Sequence, residues 1–147
     1  MATTHQFTEA AAALRFLLGG NAILTMKSKK TGERYTFRVS ASDDGKLSFV
    51  SYLTGSDNES DYSYVGIIRA GGVADLQLTK KSRLTAESTP VKAFRWVLAA
   101  LIHNILPPGV ELWHEGRCGR CGRTLTVPES IASGFGPECI TKIAGAA

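Results

Sequence analysis

The sequence predicts an α+β fold: an antiparallel β-meander packed with one long helix, followed by a small cysteine-bearing module at the carboxy end. Three observations predict it. Apolar and polar residues alternate in short segments between residues 21 and 78, which is the period of half-buried strands. An apolar stripe at helical spacing follows Thr89, as a core-facing helix requires. The three cysteines all fall within residues 118–139.

Residues 8–18 (TEAAAALRFLL) predict a short helix, with Thr8 as its cap and Gly19-Gly20 as its stop. Ala22–Met26 starts a strand. Within Arg34–Ser40, Tyr35, Phe37 and Val39 share one face and Thr36, Arg38 and Ser40 the other. Asp43-Asp44-Gly45 forms a turn because glycine tolerates positive φ, and Lys46–Leu53 is the returning strand. Residues 54–61 form a polar loop. Tyr62–Arg69 is a strand with Gly66 marking a bulge. Gly71-Gly72 turns the chain, and Val73–Leu78 alternates again. The result is a meander of four or five antiparallel strands.

Residues 79–88 form a basic, polar connector. The long helix then takes Thr89 as N-cap and Pro90 at its first position, where the missing N–H is harmless. Its stripe is Val91, Phe94, Leu98, Leu101, Ile102 and Ile105, ended by Pro107-Pro108-Gly109. Val110–His114 is a short strand leading to the cysteines. The expected organisation is an α+β domain over 1–110 and a metal-binding module over 111–147.

At 147 residues, with 44% hydrophobic and 20% charged side chains, the chain has an ordinary globular composition, which excludes wholesale disorder. The net charge of +4 concentrates around Lys80, Lys81, Arg83, Lys92 and Arg95. Such a patch suits phosphate or simply a solvated face. An odd cysteine count argues against a closed disulfide framework. The amino-terminal segment lacks the charged region of a signal peptide, and no apolar run approaches the ~20 residues of a membrane span. The expectation is a soluble, cytoplasmic protein in a reducing compartment, where clustered cysteines more often hold metal.

Residues 114–139 read HEGRCGRCGRTLTVPESIASGFGPEC. Two thiolates at the C-x2-C spacing of Cys118 and Cys121 reach one tetrahedral ion because the turn between them is tight. Gly119 and Gly122 relieve strain there. Cys139 stands in the first turn of a last helix, with Gly136 as N-cap and Pro137 at N1, where the helix dipole favours a thiolate. Thr126–Glu129 matches a capping box for a short intervening helix that Gly134 ends. The three cysteines therefore predict a zinc site. His114 is the expected fourth ligand, with His103, Glu138 and water as alternatives. Three buried thiols, an iron–sulfur cluster and a redox C-x-x-C each fit less well, since the segment is poor core material, has only three cysteines and lacks a thioredoxin-type context.

The run CGRCGRTLTVPESIASGFGPEC resembles the carboxy-terminal signature of a family of uncharacterised proteins found mostly in bacteriophages and prophages. Its pattern is C-G-x-C-G-R-x-L-T-x-P-x-S-I followed by G-x-G-P-x-C. The match is close over 118–139 and extends more loosely through TGSDNESDYSYVG (54–66) and KAFRWVL (92–98). The resemblance implies a phage origin and a zinc-binding end, and no established activity. A knuckle followed by a helix-borne cysteine is also similar to a treble clef. The usual fourth cysteine is absent here, so the fourth ligand stays open.

No G-x-S-x-G, P-loop or dinucleotide fingerprint occurs. His114-Glu115 has the wrong spacing for a zinc deaminase, so the zinc is expected to be structural and the protein not an enzyme. Arg117, Arg120 and Arg123 suit nucleic acid as well as thiolate neutralisation. Lys80, Lys81 and Arg83 suit phosphates. Tyr52, Tyr62 and Tyr64 with Phe37 suit either base stacking or core packing. Trp96 and Trp113 are expected to pack between the helix and the module. Asp57–Asp61 suits a cation, or more simply a solvated turn. The function expected is a phage accessory protein that binds DNA, RNA or a nucleoprotein complex. The alternative is a protein-interaction module that modulates a host or anti-phage defence protein. Oligomeric state is not legible.

Overall fold

The structure is a computed structural model that describes residues 5–54, 62–69, 75–125 and 128–145. It is α+β. Helix α1 (Ala10–Leu17) precedes strands β1 (Asn21–Ser28), β2 (Arg34–Ala41), β3 (Leu47–Leu53), β4 (Tyr62–Arg69) and β5 (Leu76–Gln77). Helix α2 (Thr89–Ile102), strand β6 (Val110–His114) and helices α3 (Pro128–Ser133) and α4 (Pro137–Gly145) follow. The six strands form one antiparallel sheet in the order β5-β4-β3-β2-β1-β6. Successive strands are neighbours as far as β5, and α2 carries the chain back to the opposite edge. The sequence boundary at 110/111 therefore falls at the start of a strand that belongs to the common sheet.

The alternation of the strands is what seats the core. Ala22, Leu24 and Met26 of β1 and Phe37 and Val39 of β2 are buried in one cluster with Phe16 and Leu17 of α1 and Val91, Phe94, Val97, Leu98 and Leu101 of α2. The Phe37 and Phe94 rings meet at 4.8 Å between centroids, joining sheet to helix. The expected bulge in β4 is present. The register shifts between Val50 and Ser51, and Val65 is the additional residue beside Gly66. The β2–β3 turn also matches. Gly45 has φ 72°, Ser42 Oγ donates to Asp44 Oδ1, and the Lys46 N–H donates to the same oxygen.

Four local expectations are corrected. Helix α1 is preceded by Glu9, and no side chain caps it, so Thr8 is not the cap. Ser88, not Thr89, occupies the N-cap of α2: its backbone is extended at ψ 137° and its carbonyl accepts the Lys92 N–H, while its hydroxyl accepts the Thr85 N–H in the preceding loop instead of capping the helix. Helix α2 ends at Ile102, before the Pro107-Pro108-Gly109 stop. Asn104 adopts φ 60°, the Ile105 N–H donates to Ala100 O and the Asn104 N–H to Leu101 O, a Schellman closure. Ile105 is consequently 54% exposed and no part of the stripe. Trp96 is 47% exposed on α2, so it does not pack against the module. The Asp57–Asp61 loop, the Gly71-Gly72 turn and the Thr126–Glu129 capping box lie outside the described residues.

Candidate metal centre

The chain after β6 makes a tight hairpin. Arg117 bridges to Thr124, the Cys118 N–H donates to Arg123 O, the Leu125 N–H to Gly116 O and the Gly122 N–H to Cys118 O. Gly122 has φ 78°, a conformation that only glycine adopts without strain. This turn places Cys118 and Cys121 side by side. The chain returns through α3, and Gly134 closes that helix with its N–H on Ser130 O. Helix α4 begins next, with Gly136 O accepting the Ile140 N–H and Cys139 in its first turn.

The knuckle is sewn into the core rather than appended to it. The Gly119 N–H donates to Gly134 O, and Gly119 O accepts the Asn21 N–H at the start of β1. A Cβ on Gly119 would lie 2.7 Å from the Phe16 ring. Glycine there lets the knuckle backbone rest directly on the aromatic pair Phe16 and Phe135, whose centroids are 6.0 Å apart. The hydrophobic core thus fixes the position from which Cys118 projects.

The Sγ atoms of Cys118, Cys121 and Cys139 lie within 4.8 Å of one another. Zinc–sulfur bonds of about 2.3 Å in a tetrahedron put sulfurs about 3.8 Å apart, so the cluster needs little contraction to close on an ion. The donor set fits zinc chemically as well as geometrically. Burial alone pushes the Cys118 thiol up, but the backbone N–H groups of Cys121, Gly136 and Arg120, with the Cys121 side chain, bring it down to about 7. The Arg120 and Gly136 N–H groups each stand 3.4 Å from Cys118 Sγ. Burial holds the Cys139 thiol high, while Arg120 opposes this by donating from Nη1 at 3.6 Å. A cation held by these sulfurs would supply the positive charge that favours the Cys139 thiolate. Cys118 and Cys139 are buried, and Cys121 is exposed.

His114 stands outside this cluster, contrary to its expected role as fourth ligand. Its Nδ1 accepts the Gly116 N–H at 2.9 Å. Its Nε2 therefore carries the proton and donates to Ile131 O at 2.5 Å. Neither nitrogen has a lone pair left for a metal in this arrangement. The ring is buried, stacked on His5 at 4.8 Å with an interplanar angle of 8°. His103 follows α2 and is exposed, and Glu138 is not a member of the cluster. Among the described residues the protein thus offers three sulfurs. A cleft of about 410 Å³ borders Cys121 and Cys139, lined also by Arg120, Arg123, Ser130 and Glu138.

The structure does not bring the expected basic residues together. Lys80, Lys81 and Arg83 are exposed in the loop after β5, at one edge of the sheet. Arg117, Arg120 and Arg123 are exposed in the knuckle after β6, at the other edge. Five strand spacings separate β5 from β6, about 24 Å. The expected stacking residues also divide. Phe37 is buried in the core and Tyr52 packs on it at 5.3 Å, whereas Tyr62 and Tyr64 project from the opposite sheet face by the register of β3 and β4. Reasoning from sequence missed Trp113, Lys27 and Arg34 as members of that opposite face. Their alternation with Leu112, Met26 and Tyr35 was the signal.

A family of unknown function, DUF6011, has a family model that matches residues 114–144, from the end of β6 through α4. The match covers well under half of the 147 residues. No curated protein and no solved structure matches the chain. No helix among the described residues is long and apolar enough to cross a membrane.

Proposed function

We propose that the chain is a phage-encoded accessory protein that binds nucleic acid in the bacterial cytoplasm, with its carboxy-terminal segment held in shape by a structural zinc ion. The observation that carries this is the gathering of three sulfurs beneath a rim bearing Arg120 and Arg123. Cys118, Cys121 and Cys139 would hold the ion. When bound, zinc cross-links the knuckle to α4 and neutralises the thiolates. With the thiolates so balanced, Arg123 on the exposed knuckle faces phosphates, while Arg120 is engaged at Cys139. The net charge of +4 favours the same partner. The test is elemental analysis of protein purified without chelators, followed by a mobility-shift titration against single- and double-stranded DNA and RNA. One zinc per chain and a shift that weakens with salt are expected. No shift with any of these nucleic acids at low salt would overturn the nucleic-acid half, and absence of stoichiometric metal the other.

One observation favours a second reading, a protein-interaction module that modulates a host or defence protein. Trp96, Ile105, Leu106 and Leu18 are large apolar side chains left exposed on or just beyond α1 and α2. Co-purification of one discrete protein, lost on Trp96→Ala, would support it.

A further inference from the structure

Both helices α1 and α2 cover one face of the sheet. The alternate side chains project from the other face, which no described helix covers. Pairing register places Trp113 of β6 beside Thr25 of β1, Thr25 beside Thr36 of β2, and Lys27 of β1 beside Arg34 of β2. Farther across, Arg38 of β2 pairs with Ser51 of β3, which pairs with Tyr64 of β4. This face carries rings at two places. Tyr62 and Tyr64 stand near one edge and Trp113 at the other, four strand spacings or about 19 Å away. Cations lie between them: Lys27, Arg34 and Arg38.

The Trp113 indole is held in place, since its Nε1–H donates to Glu111 Oε1 at 3.2 Å. Against it lies a cleft of about 340 Å³ lined by Thr25, Lys27, Arg34 and Trp113. A ring beside two cations and two hydroxyl-bearing strands matches a base with its phosphate. The Arg38 guanidinium sits 5.7 Å from the centre of the Tyr62 ring, so cation and ring adjoin again at the other end. Two carboxylates adjoin this face: Glu111 pairs with Lys27, and Glu115, just past β6, shares a cleft with Arg38 near Tyr62.

We infer that this sheet face is a binding platform for single-stranded nucleic acid, with Trp113 and Tyr64 stacking bases and Lys27 and Arg34 tracking the backbone. The inference rests on the nucleic-acid reading above and deepens it. Stacking needs unpaired bases that expose a ring face, and flat sheets carrying aromatics and cations supply that contact without regard to sequence. A duplex keeps its ring faces stacked inside, and its major groove admits a helix or a two-stranded ribbon, narrower than this six-stranded face. The face also spans the gap between the two separated basic sets, Lys80–Arg83 beyond β5 and Arg117–Arg123 beyond β6.

The test is a fluorescence-anisotropy titration of full-length, zinc-loaded protein with labelled oligothymidylate, oligouridylate and a DNA duplex. Trp113→Ala is expected to weaken single-strand binding by on the order of tenfold or more. Lys27→Ala with Arg34→Ala is expected to lower the slope of log affinity against log salt by about 1.4. Both sites are on the surface strands, and the melting curve of each variant is compared with that of the parent. Should Trp113→Ala fail to fold, quenching of Trp113 emission by oligothymidylate in a Trp96→Phe background gives the same answer. Tight duplex binding with weak single-strand binding overturns the inference. So does single-strand binding unchanged in the face variants but reduced by Arg123→Ala, a result that leaves the nucleic-acid reading standing. If the parent protein binds none of the three probes, that reading falls and this inference falls with it.

Discussion

His114 donates from Nε2 to the carbonyl of Ile131 at 2.5 Å, tying the last strand of the sheet to the short helix that precedes Cys139. In this arrangement the bond makes His114 a brace for the three-cysteine cluster rather than a member of it. His114→Gln is therefore expected to keep one zinc per chain while costing roughly 1–3 kcal/mol, because Ile131 O and the Gly116 N–H lose a well-placed buried partner. Elemental analysis and urea unfolding of the same sample check both halves. Loss of the metal from the variant would make His114 a ligand after all.

The same contact has a pH consequence. Burial lowers the His114 pKa below 6.5, the nearby His5 adds to this, and the Ile131 bond opposes it in part. As pH falls, the unfolded chain takes up this proton before the folded one does. The stability contributed by neutral His114 is present above 6.5 and is lost as pH falls through the lower folded value. The difference in unfolding free energy between parent and His114→Gln should shrink over that window. Cysteine protonation affects both proteins alike and cancels in the comparison. A difference that stays constant with pH would mean His114 does not titrate as its burial requires.

Zinc removal should loosen the tail before the sheet. A ligand that binds only the folded state stabilises it by about 4 kcal/mol at a thousandfold excess over its dissociation constant. Calorimetry across a zinc titration is expected to show a melting temperature that climbs with free zinc in the parent and not in Cys121→Ser. Cys121 is the residue of choice because it is the exposed sulfur, so serine there leaves the core packing intact. A flat response in the parent would rule out a metal-linked fold.

Gly119 offers a test of how the core and the knuckle are joined. Its φ is ordinary, yet a Cβ would sit 2.7 Å from Phe16 Cδ1 and 2.9 Å from Phe16 Cε1. Gly119→Ala is expected to cost about 1–3 kcal/mol as an overpacking change and to weaken zinc retention. Phe16→Leu makes room, so the double variant should recover part of the zinc affinity that Gly119→Ala loses, although Phe16→Leu is itself destabilising. Strictly additive losses in zinc affinity would show that the two residues do not meet.

Much of the fold was legible in the sequence because its strands are half-buried. Phe37 and Val39 face α2 and Thr36 and Arg38 do not, and that difference is written as alternation along one strand. The three sulfurs were legible for a similar reason, since the C-x2-C spacing and the start of α4 are local. His114 was not. Which partners a histidine takes depends on where α3 carries Ile131, and nothing in the spacing of residues 114 and 118 encodes that. The order β5-β4-β3-β2-β1-β6 was also beyond reach, because it turns on where α2 delivers the chain. That order separates Lys80 from Arg120 and makes a shared surface of Lys27, Arg34 and Trp113, which lie far apart in sequence.

Asn104 shows the same limit at the end of α2. Two proline residues invited a late stop, but the helix closes earlier through Asn104 at φ 60°, with Ile105 and Asn104 returning their N–H groups to Ala100 and Leu101. Left-handed backbone costs a side-chain-bearing residue about 1–2 kcal/mol, less for asparagine and nothing for glycine. Asn104→Ala should therefore lower stability by about 1 kcal/mol, and Asn104→Gly should be neutral or stabilising by a few tenths of that. Both are read from urea midpoints at unchanged m, with zinc content measured in parallel and expected to stay at one per chain. Equal midpoints for the alanine and glycine variants would mean that position 104 does not hold the left-handed conformation in solution.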